Sequence, residues 1–303
     1  MKKSFNLSRF DFVTLRLFCA VAQSGSITKG AETCHLALSA ASRRLSDFES
    51  ATCTLLLERS KKGVQLTPAG HLALQHCIRL FQGLERFNSE ISDYAQGVRG
   101  HVRLWANMSS LTEYLPRILH DFLSDHADIV VELEEQLSGD IARALVDGIA
   151  DIGVLADETP MDGLTVVPFQ TNQLVLLCHA THPLAKRKKV DFKTCLNYDF
   201  VGLNRGSSLL ELTSRAAEKE GQHMHMRVQV RSFDAMCHMI AAGLGIGVLP
   251  LGACASQVEA LKLKVIPLQD AWAQRKLVIA FNPQRELSPS AQLLMQQLTH
   301  ASA

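Results

Sequence analysis

From Val102 onward the chain alternates short apolar runs with amphipathic stretches of helical spacing, and this alternation limits the possible folds more than any other feature. Strands separated by helices cannot close as hairpins and need crossover connections. An α/β body with parallel strands and helices on both faces is therefore expected. A first series runs through residues 102–106, 111–124, 129–134, 139–147 and 151–155. A second runs through 173–179, 200–203, 209–220, 227–230, 233–242, 247–249 and 264–267. The last strand, 276–281, and a helix from Ser288 onward can return to the first series. Crossings near 168–171 and 269–273 would join two lobes into a hinged clamp, lobe one about 101–168 with 274–303 and lobe two about 169–273.

Before Val102 the period is helical. Leu15, Phe18 and Val21 share a stripe over 11–23, Gly25 stops that helix, and Ser26 caps the next, which holds the small pair Gly30-Ala31. A third stretch, 38–51, lines up Leu38, Ala41, Leu45 and Phe48 on one side and Ser39, Ser42, Arg43 and Ser46 on the other. A merely solvated helix usually carries long paired charges, whereas short hydroxyls around an Arg let a helix lie close to base edges. Helix, Gly turn, helix and polar helix is the helix-turn-helix plan. Leu55 to Leu57 and Val64 to Leu66 then flank a basic tip containing Arg59, Lys61, Lys62 and Gly63, which reads as a wing over residues completing a 1–67 module.

Charge supports a polyanion partner for that module alone. Residues 1–67 hold ten Lys/Arg against five Asp/Glu, net +5, whereas the whole chain holds 31 against 30, leaving the remainder at −4. From Pro68 to residue 96 no further proline interrupts a helical pattern in which Leu74, Cys77, Phe81, Leu84 and Ile91 form an apolar seam, with Asn88 within it. So long a stripe beside a small module is expected to pair with a second copy. Residues 97–100 then read as a hinge before the 101–303 body.

The N-terminal residues resemble the LysR-type transcriptional regulators. The resemblance rests on Gly25-Ser26, Gly30-Ala31, Ser42-Arg43, Phe48-Glu49, Leu56-Leu57-Glu58-Arg59 and Leu66-Thr67-Pro68-Ala69-Gly70. Departures are Leu38 where the family usually has a base-reading Gln, Ala37 for a capping Ser, and Thr52-Cys53 for Leu-Gly. It continues through Leu115-Pro116, Leu145-x-x-Gly148-x-x-Asp151-Ile152, His182-Pro183-Leu184 and residues 241–250, so it covers nearly the whole chain. The resemblance implies a winged helix-turn-helix, a long dimerising linker helix, and a two-lobed α/β effector domain similar to periplasmic solute-binding proteins. On that reading the partners are double-stranded operator DNA, a small effector and further copies of the chain, as dimer or tetramer. Ser39, Ser42 and Arg43, with Arg44 beside them, would face the major groove, and Arg59, Lys61 and Lys62 the backbone or minor groove.

An effector between lobes should meet strand ends and helix starts, where free N–H groups and the helix dipole favour anions. Asn107, Met108, Ser109 and Ser110, then Asn204, Arg205 and Ser207, then Phe233 and Asp234 are the candidates, with Ser138 a further one; a small carboxylate is the expected class. Competing motifs carry less. Gly243-Leu-Gly245-Ile-Gly247 follows a helix and opens a strand, the reverse of a dinucleotide loop, so no cofactor is expected. His223-x-His225, His179-x-x-His182 and the eight scattered cysteines show no metal-ligand spacing, and no GxSxG or HExxH gives an enzyme a foothold. No window reaches the ~18 apolar residues of a membrane span, and Arg9 and Asp11 sit where a signal peptide would be apolar, so a cytoplasmic location is expected. The rival readings are a solute-binding protein and an α/β enzyme, either one fused to a basic helical module.

Overall fold

In the computed structural model, residues 11–60, 63–95 and 100–301 are described, and they form two compact units, Met1–Ile91 and Ser92–Ala303. The hinge expected at 97–100 falls outside the described residues except for Gly100, which opens the first strand of the second unit.

The first unit opens with α1 (Phe12–Ser24), whose N-cap Asp11 accepts from Thr14 N at 2.7 Å and whose C-cap Gly25 is left-handed at φ 63°. Ser26 caps α2 (Ile27–Thr33), and α3 (Leu38–Thr52) follows with no side-chain cap, because Ala37 has none to offer. Its C-cap, Cys53, takes φ 54°, a left-handed conformation better suited to glycine. The Phe18 and Phe48 rings meet edge to face with centroids 5.4 Å apart. Glu49 Oε1 accepts from both Leu56 N and Leu57 N at 2.9 Å, pinning α3 to the hairpin of β1 (Leu57–Ser60) and β2 (Gly63–Leu66). Leaving those two donors unmet would cost about 1–3 kcal/mol each.

Leu38 departs from its expected place. It is 51% exposed, while Ala41, Leu45 and Phe48 are buried, so the apolar stripe begins a turn later. The long helix α4 (Pro68–Ala95) brings a second correction: its seam is not single. Cys77 is 3% exposed and packs with Leu74 and Phe81 on the core of its own unit, and Phe81 also lies 6.3 Å from the Phe12 ring. Leu72 and Ile78 are exposed, and further along the exposed Leu80, Leu84, Phe87 and Ile91 are spaced 4-3-4 and rotated from that face. Of the expected seam, Leu84 and Ile91 lie on this outer stripe; the Asn88 side chain lies outside the described residues.

The second unit contains β3 (Gly100–Ala106), α5 (Met108–Glu113), α6 (Leu115–Asp125), β4 (Ile129–Glu135), α7 (Ser138–Asp147) and β5 (Ile152–Ala156). Then comes β6 (Thr165–Cys178), followed by α8 (Phe192–Cys195), β7 (Asp199–Leu203), α9 (Ser208–Lys219), β8 (His225–Val230), α10 (Phe233–Ala241) and β9 (Gly247–Pro250). The unit closes with α11 (Leu251–Ala260), β10 (Lys264–Pro267), β11 (Gln274–Phe281) and α12 (Pro289–His300). The seven-stranded sheet runs β10-β6-β11-β5-β3-β4 with β9 on β6, and β7 pairs β8 separately.

The expected parallel sheet is corrected to a mixed one. β3 pairs β4 and β5 in parallel, and β7 pairs β8 in parallel, but β11 runs antiparallel to β5 and β6, and β6 antiparallel to β9 and β10. The reason is β6 itself. This one long strand begins beside β11 at Thr165 and ends beside β10 at Cys178, so it belongs to both halves of the sheet. The helix α11, unmarked in the sequence reading, packs beside α10 and buries Ala253 and Cys254. The glycine-rich turn joins α10 to β9; Gly245, at φ 157° with no room for a Cβ beside Asp199 O, serves close packing.

Candidate functional site

Two features stand apart chemically. The first is the outer face of α3. Ser39 is exposed, Ser42 is half-buried, and the Arg43 side chain is 86% exposed, its Nε 3.9 Å from Asp47 Oδ2. Arg44 is used differently from the expectation. Its Nη1 donates to Asp11 Oδ2 at 2.6 Å and Thr14 Oγ1 at 3.0 Å, bracing α3 against the start of α1. Burial pushes the Asp11 carboxyl up, but the Thr14 N–H and the Arg44 guanidinium outweigh it and hold Asp11 below the usual range. Of the wing cations, Lys61, Lys62 and the Arg59 side chain lie outside the described residues.

The second feature is a cleft of about 340 Å³ in the second unit, bounded by the starts of α5, α7, α9 and α10. It is lined by Asn107, Met108, Ser109, Ser138, Asn204, Ser207 and Phe233 among the sequence candidates. Three candidates lie outside it. Ser110 is fully buried and donates to Asn107 Oδ1 at 2.9 Å; it secures the cap rather than facing the space. Arg205 is exposed in the turn before α9, and exposed Asp234 lies 3.8 Å from His238.

Two arginines and a fourth serine, Ser208, also line the cleft. Arg231, just before α10, is exposed and has no ion pair among the described residues; Arg275, from β11, is 3% exposed. Arg275 Nε donates to Glu158 Oε1 at 2.9 Å and Nη2 to Ser208 Oγ at 2.6 Å. Ser208 Oγ lies 3.2 Å from Ser138 Oγ, so the hydroxyls at the starts of α7 and α9 touch across the cleft. Neither helix has a side-chain cap, which leaves first-turn N–H groups for a bound anion. Glu135 also lines the cleft, as an exposed carboxylate. Arg231 and Arg275 are illegible in the sequence because each sits in a strand or loop with no local motif around it and is brought to the cleft by distant pairing.

Behind the cleft, the last residue of α5 reaches the crossing strand and α11. Asn172, fully buried on β6, donates to Glu113 Oε2 at 2.6 Å and to Tyr114 Oη at 3.3 Å, while Tyr114 donates to Thr171 O at 3.1 Å. The Glu113 carboxylate leaves no room for a Cβ on Gly252 and so sits against the uncapped first turn of α11. Asn172 Oδ1 has no partner among the described residues. Burial pushes the Glu113 carboxyl above its usual range, against the opposing hydrogen bonds from Tyr114 and Asn172.

Residues 12–71 match the family model described as bacterial regulatory helix-turn-helix protein, lysR family, and residues 95–303 match the LysR substrate binding domain. A probable RuBisCO transcriptional regulator of Trieres chinensis is 26% identical over 297 residues, covering 95% of this chain and 96% of that protein. The full-length CbnR structure complexed with its target DNA superposes at a TM-score of 0.72 and 19% identity, over 96% of this chain and all (100%) of that one. The regulatory domain of CcmR from Synechocystis PCC6803, in complex with 2-PG, superposes at 0.62 and 22% identity, over 67% of this chain and 98% of that one. At those identities the two structures carry the likeness of fold.

The raised Glu113 carboxyl has a signed consequence. The folded state holds this proton more tightly than the unfolded chain, so the stability linked to it is present below the ordinary value of 4.5 and is lost as pH rises through the folded value. Glu113→Gln keeps an acceptor for Asn172 and cannot ionise. Thermal melting across that range should show wild type losing stability relative to the variant as pH rises; parallel curves would mean the carboxyl titrates as it does in water.

Proposed function

The chain belongs to the LysR family of DNA-binding transcriptional regulators, and from that premise we propose that a small carboxylate in the cleft of its effector-binding domain controls a homo-oligomeric regulator, dimer or tetramer. The observation that carries the ligand class is the convergence of the uncapped starts of α7 and α9 with Arg231 on one small space. N–H groups, hydroxyls and a guanidinium all donate to anions. The volume sits at the small end of the ~300–1,000 Å³ of ligand pockets, which suits a compact acid. Met108 and Phe233 supply an apolar wall for its hydrocarbon part. A ligand cleft serves the solute-binding or enzymatic rivals set out from sequence as well, so what favours the regulator is the family, which is one of DNA-binding regulators. No helix among the described residues is long and apolar enough to cross a membrane.

On this reading Ser39, Ser42 and Arg43 meet base edges, and Arg59, Lys61 and Lys62 hold phosphate. Arg44 positions the reading helix through Asp11 instead of contacting DNA. Leu38, exposed at the start of α3, adds an apolar contact suited to a thymine methyl. The oligomer seam is the outer stripe Leu80, Leu84, Phe87 and Ile91.

Titrating small acids into the purified protein tests the ligand class. Arg231→Ala should abolish acid binding while Arg205→Ala leaves it intact, with operator affinity followed separately. Equal binding by both variants, or a preference for cations or neutral sugars, would remove the assignment.

On the DNA side, Arg43→Ala should weaken operator binding by about 1–3 kcal/mol, the worth of a bidentate Arg–guanine contact, with little change in melting temperature. Unchanged affinity at fixed salt would mean that another face reads the DNA.

The two faces of α4 should separate in sedimentation. Phe87→Asp puts a charge in the outer stripe and should yield smaller, still folded species, whereas Phe81→Asp strikes the unit's own core and should lower stability first. A Phe87→Asp protein that keeps its full assembly would place the contact elsewhere.

A further inference from the structure

The strongest concentration of charge in the effector-binding domain is used by neither the cleft nor the reading helix. Lys186, Arg187, Lys188 and Lys189 are four consecutive cations, all exposed, with no ion pair among the described residues; the next cation along, Lys193, is paired to Glu220 at 3.0 Å. Like charges so close repel one another and favour a loose loop, yet both ends of this run are fixed. Leu184 is buried before it, and Arg187 N donates to Leu184 O at 2.9 Å. Val190 is buried after it, donates to Pro267 O at 3.0 Å and accepts from Gln269 N at 3.0 Å. Lys262 and Lys264, also exposed, stand at the start of β10, the strand against which the preceding turn Pro183–Lys186 packs. A rigid basic ridge therefore stands on a part of the chain whose net charge beyond residue 67 is −4.

We propose that this ridge is a second DNA-docking surface, a sequence-independent contact made by the effector-binding domain with the phosphate backbone of DNA around the operator. Polyphosphate recognition needs only clustered cations, and each phosphate neutralised releases counterions. A protein partner would want an apolar anchor among the charges. Among the described residues, no exposed large hydrophobic side chain falls between Val166 and Leu293 in the chain, so the ridge has none of its own. Once the reading helix is bound, tethering raises the local concentration of DNA around the ridge, so a contact too weak to hold alone still adds affinity. The inference rests on the DNA-binding reading above.

The test uses the full chain and its own upstream DNA. One variant carries Lys186→Gln, Arg187→Gln, Lys188→Gln and Lys189→Gln together; a second, with Lys186→Arg, Lys188→Arg and Lys189→Arg, keeps the charge. Affinity is measured over a salt series, with melting temperature as the folding control. The Gln variant should lose roughly tenfold or more in affinity at low salt, and its log–log salt slope should flatten by about 2–4, at ~0.9 per phosphate contact. The Arg variant should match wild type. Unchanged affinity and slope in a folded Gln variant would overturn the ridge while leaving the DNA reading intact, whereas a wild type with no operator affinity would overturn that reading itself. Capture of the ridge by polyglutamate in preference to DNA, at equal charge concentration, would overturn it in favour of an acidic polypeptide.

Discussion

The effector-binding domain depends on the antiparallel pairing of β6 with β11 where Asn172 stands opposite Arg275. Both side chains are almost wholly enclosed and both are polar, which is costly unless every partner is in place. Arg275 reaches Glu158, which follows β5, and Ser208, which starts α9; Asn172 reaches Glu113, which ends α5. Replacing one member of a buried ion pair leaves the other unpaired at about 3–5 kcal/mol, whereas the intact pair is weak evidence of stability. The pair is better understood as a fixed joint. The same joint sets the floor of the cleft, since Arg275 lines it and holds the Ser208 hydroxyl beside Ser138.

The N-terminal unit solves a different problem, that of a module too small to enclose much apolar surface. Leu17, Phe18 and Val21 are fully buried, yet they need a lid. The first turns of α4 supply it through Leu74 and Cys77, with Phe81 further along. The helix thus begins as part of the module's core and carries the exposed Leu80, Leu84, Phe87 and Ile91 stripe along its later turns. One helix serving two purposes on two faces explains why a reading by spacing merged them. Leu74, Cys77, Phe81 and Leu84 make an acceptable 3-4-3 series, and so do Leu80, Leu84, Phe87 and Ile91 at 4-3-4. Period alone does not say which surface each series meets.

Other elements show the same division between local and long-range information. Gly25-Ser26 as stop and cap, the uncapped start at Ala37 and the helix-to-strand order around Gly245 were legible because each is settled within a few residues. Strand direction was not, because it depends on the neighbour: β6 and β11 are ordinary apolar runs that become antiparallel only on pairing. Of the ten candidates drawn from strand ends and helix starts, seven line the cleft. The misses, Arg231 and Arg275, come from segments that local pattern reads as plain strand or loop. Arg205 misled for the opposite reason, since adjacency to a helix start is a local cue, and its turn faces solvent.

The cleft and the joint together bear on how occupancy is transmitted. A ligand shifts a conformational equilibrium only by the difference in its contacts between two states, so the contacts that change must be identifiable. The halves meet at Ser208, whose hydroxyl lies 3.2 Å from Ser138 Oγ and accepts from Arg275 Nη2 at 2.6 Å, one neutral bond worth about 0.5–1.5 kcal/mol and one charge-assisted bond worth about 1.5–3 kcal/mol. An anion at the starts of α7 and α9 would add charge-assisted bonds to both sides at once, roughly twice as strong each, and so favours closure. Helix α5 carries the result outward. Its first residues, Met108 and Ser109, line the cleft, and its last, Glu113, presses on the first turn of α11 and holds Asn172 on the crossing strand. A shift of this short helix cannot occur at one end alone, and the half-buried carboxylate at its far end is the group least able to lose its partners without cost.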